Sequence, residues 1–209
     1  MRRHRKTFPL VVEGLPYLVL PTVITLIGGV WGKIYLFLPF FILTIFGFSF
    51  FRNPPRRIPV GDNLVLSPAD GRIVKINKGS KNTTVSIFMS VFNVHVNRAP
   101  AAGTIESIQY QRGRHLPANS GEASRQNERN ALQLQGADGL QLMFVQVAGI
   151  LARRIVCYVR RGDPVQRGEI FGAILFGSRV DVYLPQGVQL QVREGDRVKG
   201  GESVLGVIT

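Results

Sequence analysis

Hydrophobic positions follow two different patterns along this chain of 209 residues. In residues 8–51 almost every position is apolar, whereas the remainder alternates apolar and polar residues in short runs. Glycines around Gly29 divide the apolar region into a part that ends near Trp31 and a second part, residues 34–51. Each part approaches the roughly 20 residues that a membrane-spanning helix requires. The pattern therefore predicts an N-terminal transmembrane helical hairpin, which forms a membrane anchor with its basic linker over residues 1–57.

Basic residues at both outer ends of this anchor indicate its orientation. One cluster lies in residues 2–6 and the second comprises Arg52, Arg56 and Arg57, while the turn between the helices carries only Lys33. Cytoplasmic segments beside membrane helices are enriched in Lys and Arg, so both ends are expected in the cytoplasm. Three prolines weaken the first helix, which makes a re-entrant hairpin the rival arrangement. In both arrangements the soluble part lies on the cytoplasmic face of the cell membrane.

Beyond the anchor, residues 58–209 show the alternation that is typical of β-strands. Gly, Pro, Asn and Asp separate the runs, and no helical period of the usual length is found. Clear examples of the alternation are residues 72–76, 84–88, 103–108 and 140–145. We therefore expect a mostly β domain in this part of the chain.

An internal repeat refines this expectation. Residues 160–171 recur as residues 193–204, and both copies contain the pattern Gly-Asp-x-Val-x-x-Gly-Glu. The glycines permit tight turns and the valines point inward, so each copy is expected to form a compact β-hairpin element. Two such elements related by a pseudo-twofold axis resemble the barrel-sandwich fold of biotinyl and lipoyl carrier domains. A carrier role is disfavoured because no lysine lies between the two copies.

The net charge of +13 is shared by both parts of the chain. Residues 1–57 carry eight Lys and Arg against one acid, and residues 58–209 carry eighteen against twelve. Because the basic clusters flank an apolar segment, this excess favours an anionic membrane surface over nucleic acid as a partner. A single cysteine, Cys157, excludes a disulfide framework, and with only three histidines Cys-rich zinc sites are excluded as well, so no metal is expected.

Four motifs of the soluble part together resemble those of a known enzyme family. In chain order they are Ser67-Pro68-Ala69-Asp70-Gly71, Asn93-Val94-His95-Val96-Asn97-Arg98-Ala99-Pro100, Asn127-Glu128-Arg129-Asn130, and Phe176-Gly177-Ser178 followed by Asp181-Val182-Tyr183-Leu184-Pro185. Each motif alone is weakly specific, since Gly-Ser and Asp-Gly pairs usually mark turns. In this order and spacing they are similar to the phosphatidylserine decarboxylases, in the short form found in prokaryotes. The resemblance covers nearly all of the soluble part.

This resemblance implies a pyruvoyl-dependent proenzyme that cuts itself between Gly177 and Ser178 into a long chain, residues 1–177, and a short chain, residues 178–209. The Ser178 hydroxyl would be the nucleophile that attacks the Gly177 carbonyl, and the resulting ester would be eliminated to dehydroalanine. Loss of ammonia would then leave a pyruvoyl group at position 178. This group would serve as the cofactor and form a Schiff base with the substrate.

The resemblance also assigns the remaining residues of the site. A serine hydroxyl needs a base that is itself oriented by a carboxylate. His95 matches the family's general base and Asp70 the acid that orients it, while Gly177 allows an accessible backbone at the cut. One departure is Phe92, where longer bacterial members carry a second histidine. The proton transfer of that histidine in the lipid reaction would pass to His95 or to water.

The implied reaction is decarboxylation of phosphatidylserine to phosphatidylethanolamine in phospholipid biosynthesis. The expected partners are the serine phospholipid, the anionic membrane surface and the two cleaved chains with each other, with a homodimer left open. Archaeal diether serine lipids carry the same head group, so an archaetidylserine decarboxylase is the alternative. Two more distant alternatives are a Ser-His-Asp hydrolase, which needs the Gly177-Ser178 bond intact, and a non-enzymatic lipoyl-like membrane adaptor.

Overall fold

A computed structural model describes residues 9–208 of the chain except residues 62, 81, 115, 117–125, 137–138, 150–153 and 176–177. The chain divides into two compact units, Met1–Pro55 and Arg56–Thr209. Helices make up the secondary structure of the first unit, and strands make up that of the second. This division follows the change in hydrophobic pattern along the sequence.

Two apolar helices form the first unit: α1 (Leu15–Val30), preceded by a 3₁₀ turn at Val12–Gly14, and α2 (Ile34–Phe50). Their backbones approach closely at Gly28, where a Cβ atom would lie 2.7 Å from the Phe37 backbone nitrogen. Of the described residues, the stretch Val12–Val30 is long and apolar enough to cross a membrane. The second helix, with 17 residues, is apolar but shorter.

Strands dominate the second unit, so the prediction of a mostly β domain is confirmed. In the described part of the chain they are β1 (Leu64–Leu66), β2 (Gly71–Lys78), β3 (Asn82–Met89), β4 (Val96–Arg98), β5 (Gly103–Gln111), β6 (Arg129–Gln135), β7 (Gln141–Ala148), β8 (Arg154–Cys157), β9 (Pro164–Val165), β10 (Ile170–Leu175), β11 (Ser178–Pro185), β12 (Val188–Leu190), β13 (Arg197–Val198) and β14 (Val204–Ile208). The four alternating runs identified in the sequence correspond to β2, β3, β5 and β7.

One large sheet and two small sheets account for these strands. The large sheet has the order β13-β2-β3-β11-β7-β6-β5-β9, and the small sheets have the orders β1-β14-β12 and β4-β10-β8. Neighbouring strands run antiparallel throughout. As a result, β11 lies near the centre of the large sheet, between β3 and β7.

The two copies of the sequence repeat lie at opposite edges of the large sheet, where β9 pairs with β5 and β13 pairs with β2. Each copy opens with the same turn, in which an aspartate accepts a hydrogen bond from the backbone nitrogen three residues earlier. Asp163 Oδ2 accepts from Arg160 N at 2.8 Å, and Asp196 Oδ2 accepts from Arg193 N at 2.8 Å. The repeated sequence therefore builds a repeated local structure.

Strand alternation decides which side chains enter the core. On β11, Val180 and Val182 are fully buried in the main hydrophobic cluster, whereas Arg179 and Asp181 point to the other face and pair with each other. Ser178 lies two residues before Val180 and continues the inward series. The hydroxyl of Ser178 is therefore placed at the end of an otherwise apolar row.

Candidate active site

Ser178 is the first residue of β11, so it lies at a strand end, near the centre of the eight-stranded sheet. It pairs with Met89 on β3 and with Ala148 on β7. Its side chain is 0% exposed, and its hydroxyl donates a hydrogen bond to the Met89 sulfur at 3.4 Å. Phe176 and Gly177, which precede it in the predicted cleavage motif, lie outside the described residues. A nucleophile enclosed in this way is better placed to attack its own chain than an external substrate.

His95 lies just before β4, beside the strand that leads to Ser178. Its backbone carbonyl accepts a hydrogen bond from Ile174 N at 3.1 Å, and its side chain is 2% exposed. The ring nitrogen Nδ1 lies 2.9 Å from the Asn93 carbonyl oxygen. Because a carbonyl only accepts, Nδ1 carries the hydrogen, and in the neutral ring Nε2 is then the basic nitrogen. This arrangement suits a general base.

A short turn holds the carbonyl that orients His95. The Asn93 side chain closes this turn by accepting hydrogen bonds from Ser90 N at 2.9 Å and from Ser90 Oγ at 2.8 Å. Asn93 N in turn donates to Ser90 O at 2.9 Å. The orientation of the imidazole therefore depends on a local turn whose closing residue directly follows Phe92 in the sequence.

Asp70 lies immediately before β2 in a cluster of charged residues. Its two carboxylate oxygens accept hydrogen bonds from Arg56 Nη2 at 2.9 and 2.8 Å, and Oδ1 also accepts from Gly200 N at 2.8 Å. The pKa of the neighbouring Arg98 is lowered to about 10, first by burial and then by the positive charge of Arg56, while Asp70 opposes this shift. The carboxylate thus compensates two close positive charges.

Sheet register brings Asp70 and Ser178 to the same end of the fold. The start of β2, next to Asp70, lies beside the end of β3 at Met89, and β11 begins there with Ser178. Within the described residues, however, the Asp70 carboxylate bonds Arg56 and not His95. The direct acceptor for the imidazole is a backbone carbonyl, which sequence reasoning does not reveal.

Three buried amide side chains near Ser178 were not singled out from the sequence as site residues: Asn97, Gln146 and Asn130. Gln146 Nε2 donates to Asn97 Oδ1 at 2.8 Å, and Asn130 Nδ2 donates to Gln146 Oε1 at 3.0 Å. The signal was present in β7, where Leu142, Phe144, Gln146 and Ala148 occupy successive inward positions. A glutamine in such a row is a buried polar group that requires an explanation.

Asn127 stabilises the strand end opposite Ser178. Its Nδ2 donates to the carbonyl oxygens of Ala148 at 2.7 Å and Leu116 at 2.8 Å, and its Oδ1 accepts from Leu116 N at 2.9 Å. Since Ala148 pairs with Ser178, this amide fixes one wall of the serine site. The motif that contains Asn127 therefore has a structural role next to the candidate nucleophile.

Two cavities among the described residues of the second unit lie away from Ser178. One of about 920 Å³ is lined by residues at the opposite end of β11, including Pro185 and Gln186. Another of about 470 Å³ lies on the outer face of the large sheet and is lined by Asp181 and Tyr183. Neither lining contains Ser178, His95 or Asp70.

Comparison with known proteins agrees with the motifs. A family profile described as phosphatidylserine decarboxylase matches residues 43–206. Three similar relatives are each named phosphatidylserine decarboxylase proenzyme. The protein from Syntrophus aciditrophicus is 49% identical over 170 residues, which is 78% of this chain and 80% of the relative.

The two other relatives match over most of their length. The protein from Geotalea uraniireducens is 42% identical over 211 residues, 98% of this chain and 99% of the relative. The protein from Burkholderia pseudomallei is 43% identical over 199 residues, 92% of each. The resemblance seen in the sequence motifs is therefore confirmed, and the chain belongs to the phosphatidylserine decarboxylase family of enzymes.

Proposed function

We propose that this enzyme generates a pyruvoyl group from its own Ser178 and uses it to decarboxylate phosphatidylserine to phosphatidylethanolamine. The complete burial of Ser178 carries the proposal. A hydroxyl enclosed by its own chain is close to the carbonyl of the preceding residue, Gly177, and is shielded from external substrates. The word proenzyme in the relatives' names supports processing of a precursor. A hydrolase of external substrates would instead need an accessible serine.

Self-cleavage consumes one water and releases one ammonia. The Ser178 oxygen bonds to the Gly177 carbonyl carbon as its proton passes to a base, and the peptide C–N bond then breaks. The amine takes up a proton, which leaves an ester between the two residues. Removal of the Ser178 α-proton expels the Gly177 carboxylate and leaves dehydroalanine at 178. Hydrolysis of dehydroalanine releases ammonia and yields the pyruvoyl group.

His95 is the proposed base for the attack. Its Nδ1–H donates to the Asn93 carbonyl, which fixes the tautomer and leaves Nε2 to accept the Ser178 proton. General-base catalysis of this kind contributes about 10²–10⁴-fold to a rate. The burial of His95 keeps solvent from competing for this nitrogen.

Asp70 is proposed to assist this base. In the described residues its carboxylate is held by Arg56 and Gly200, so its contribution to orienting His95 is electrostatic. A negative charge at this end of the sheet favours the imidazolium that forms when His95 takes a proton. The Asn93 carbonyl supplies the direct hydrogen bond, and Asp70 supplies the charge.

The surroundings of Ser178 fit a pyruvoyl group derived from it. The Met89 thioether and the small Ala148 side chain border the residue, and the amide of Asn97 lies against the same sulfur. When formed, the group supplies an electron sink that stabilises the carbanion left when the substrate loses CO₂. The chain's own residues enclose this position before the bond to Gly177 is cut.

The two chains produced by cleavage should remain associated. The short chain begins at residue 178 with β11, which is paired along its whole length with β3. The same chain supplies β13 to the edge of β2 and β14 to the edge of β1. Cleavage before Ser178 would therefore leave these backbone ladders intact.

The combined domain is proposed to adopt the barrel-sandwich arrangement. The presence of one copy of the repeat at each edge of the large sheet supports this proposal.

The first unit is proposed to insert into the cell membrane as a helical hairpin, with the catalytic domain on the cytoplasmic face. Exposed side chains such as Leu20 and Val30, 66% and 82% exposed, suit lipid contact. A lipid substrate favours such a location, since each buried CH₂ is worth about 0.8 kcal/mol and extraction from the bilayer is costly. Protease protection of oriented membrane vesicles tests it: digestion of the catalytic domain only from the outer side would contradict this orientation.

The central experiment compares the full-length wild-type chain with Ser178→Ala. We expect mass spectrometry to show two fragments for the wild type, divided at residues 177 and 178, and one intact chain for the variant. Only the wild type should release CO₂ from phosphatidylserine vesicles. An intact wild-type chain with its serine unmodified would contradict the proposal.

A further inference from the structure

Three buried amides form a hydrogen-bonded relay that ends beside the candidate nucleophile. The relay runs from Asn130 on β6 through Gln146 on β7 to Asn97 on β4, with hydrogen bonds of 3.0 and 2.8 Å. The three side chains are 2%, 0% and 0% exposed, respectively. Burying such groups is costly unless they are bonded, and inward positions of a sheet are otherwise filled by apolar residues. Packing alone therefore does not explain why these three buried positions are polar.

The relay has a direction. Gln146 uses its Nε2 as the donor to Asn97 Oδ1, and this leaves Asn97 Nδ2 as the group at the far end. That nitrogen lies 3.8 Å from the Met89 sulfur. The reverse orientation would set Asn97 Oδ1 against the sulfur, which would bring two acceptors together. The relay thus presents a donor to Met89.

Packing prevents the central amide from turning away. β10 crosses Gln146 at Gly172, where a Cβ would lie only 3.0 Å from Gln146 Nε2 and 2.3 Å from the Val156 carbonyl oxygen. A fully satisfied buried network is rigid and specifies one arrangement of its members. Asn97 is therefore held through its Oδ1 by Gln146, while its Nδ2 faces the Met89 sulfur.

The same Met89 sulfur accepts the hydrogen bond of the Ser178 hydroxyl. The Ser178 Oγ–Sδ distance is 3.4 Å, so the sulfur lies between the serine and the end of the relay. Methionine has three rotatable bonds and adapts its shape easily, so its sulfur would not by itself hold a hydroxyl in one rotamer. The Asn97 contact supplies the missing restraint.

We propose that Met89 and Asn97 are positioning residues for self-cleavage, with Gln146 and Asn130 holding Asn97 in place. A thioether is a weak acceptor, so it selects one hydroxyl rotamer and still releases the proton to a base at little cost. The inference rests on the proposed attack of Ser178 on Gly177. Displacement of a reacting atom by about 1 Å can slow a reaction about 100-fold, so loss of the restraint should slow the cut.

The test follows cleavage of the full-length protein made by cell-free synthesis in detergent, with gel and intact-mass time courses. Met89→Leu keeps the side-chain volume and removes the acceptor, whereas Met143→Leu makes the same change on the outward face of β7 and is the matched control. We expect Met89→Leu and Asn97→Leu to slow cleavage at least tenfold and Met143→Leu to cleave at the wild-type rate. Asn97→Asp, which keeps the acceptor for Gln146 but offers no donor, should remain slow.

Two further readouts separate positioning from general damage. Thermal unfolding should place Met89→Leu within a few degrees of Met143→Leu, and the double variant of Asn97→Leu with Gln146→Leu should be no slower than Asn97→Leu alone. Hydroxylamine, which cleaves esters, should not restore chain separation, because the slowed step precedes the ester. Ester accumulation would place the effect on elimination and overturn the inference.

The possible failures are distinguishable. A wild-type chain that stays uncut overturns the proposed function and the inference together. If the wild type cuts itself and a folded Met89→Leu cuts itself equally fast, only the inference is overturned. If Asn97→Leu does not fold, the Met89→Leu result decides alone.

Discussion

The carboxylate of Asp70 and the guanidinium of Arg56 form a partly buried ion pair, at the strand ends where Ser178 lies. Arg56 Nη2 lies 2.9 Å from Oδ1 and 2.8 Å from Oδ2, and the two side chains are 14% and 7% exposed for Asp70 and Arg56. Arg56 is the first residue of the catalytic unit. Its charge is therefore paired at the end of the domain where the candidate nucleophile lies, although the sequence places it in a basic linker.

Replacement of Arg56 by alanine should impair both folding and self-cleavage. Asp70 would keep the Gly200 N–H as a hydrogen-bond partner and Arg98 as a nearby positive charge. Because the pair is only partly buried, the loss of stability should be smaller than the about 3–5 kcal/mol that is typical when one member of a fully buried ion pair is removed. We expect a lower free energy of unfolding and slower chain cleavage, with partial recovery in Arg56→Lys. Denaturant titration and gel time courses measure the two effects.

Arg57→Ala is the matched control for Arg56→Ala. Arg57 is exposed, and it donates a hydrogen bond to Glu202 Oε1 from its backbone N–H, which survives the substitution. Both variants lose one positive charge next to the anchor. Equal effects of the two substitutions would show that net charge, and not the Asp70 pair, is what matters.

The turn that orients His95 gives a second prediction. Asn93→Ala removes the acceptor for both Ser90 N and Ser90 Oγ and should loosen the carbonyl that holds His95 Nδ1. We expect self-cleavage to slow about tenfold to 100-fold, less than the loss in His95→Ala. Quantified fragment yields over time check this order. The exposed Asn77→Ala on β2 is the control, and a wild-type rate for Asn93→Ala would contradict the assigned role of the turn.

The sequence predicts the strands well because they alternate, and alternation is a local property. It does not predict which strands pair, since β11 contacts β3, almost one hundred residues earlier, through a register that only tertiary packing sets. The pairing of Arg56 with Asp70 illustrates the same limit. Both residues were visible as charges, but their contact and that of Asp70 with Gly200, 130 positions away, depend on the completed fold.

The candidate site could be assembled from the sequence in part, for a related reason. Ser178, His95 and Asp70 belong to motifs, and motifs report chemistry through side chains. The acceptor for His95 is the backbone carbonyl of Asn93, which any residue could offer, so no sequence pattern marks it. Gln146 is different, because a glutamine between Phe144 and Ala148 breaks an inward apolar row and could have been noticed.

Alkaline pH should destabilise the folded domain through Tyr183. Burial, and next the negative charge of Asp181, raise the pKa of this phenol above its ordinary value of 10.0. The folded protein then keeps the phenol proton at pH values where the unfolded chain has lost it. The contribution of the protonated phenol to the free energy of unfolding is therefore fully present below pH 10 and is lost as pH rises through the folded pKa.

Unfolding by denaturant at a series of alkaline pH values measures this effect. Tyr183→Phe should show a weaker decline of stability above pH 10 than the wild type. Tyr110, whose pKa is raised mainly by a hydrogen bond to Glu128, is exposed, so Tyr110→Phe should change the decline less. Identical pH profiles for Tyr183→Phe and the wild type would contradict the assignment.

Retention of the short chain after cleavage is the last prediction. Residues 178–185 pair with β3 along all eight positions, and Val182 in this strand is fully buried. We expect the two fragments to elute together in native gel filtration and to separate only in denaturant. Val182→Ala, by leaving a cavity in the core, should lower the denaturant concentration at which they separate, whereas Gln189→Ala on the exposed face of β12 should not. Separation of wild-type fragments in native buffer would mean that the ladders do not hold the short chain once the peptide bond before Ser178 is broken.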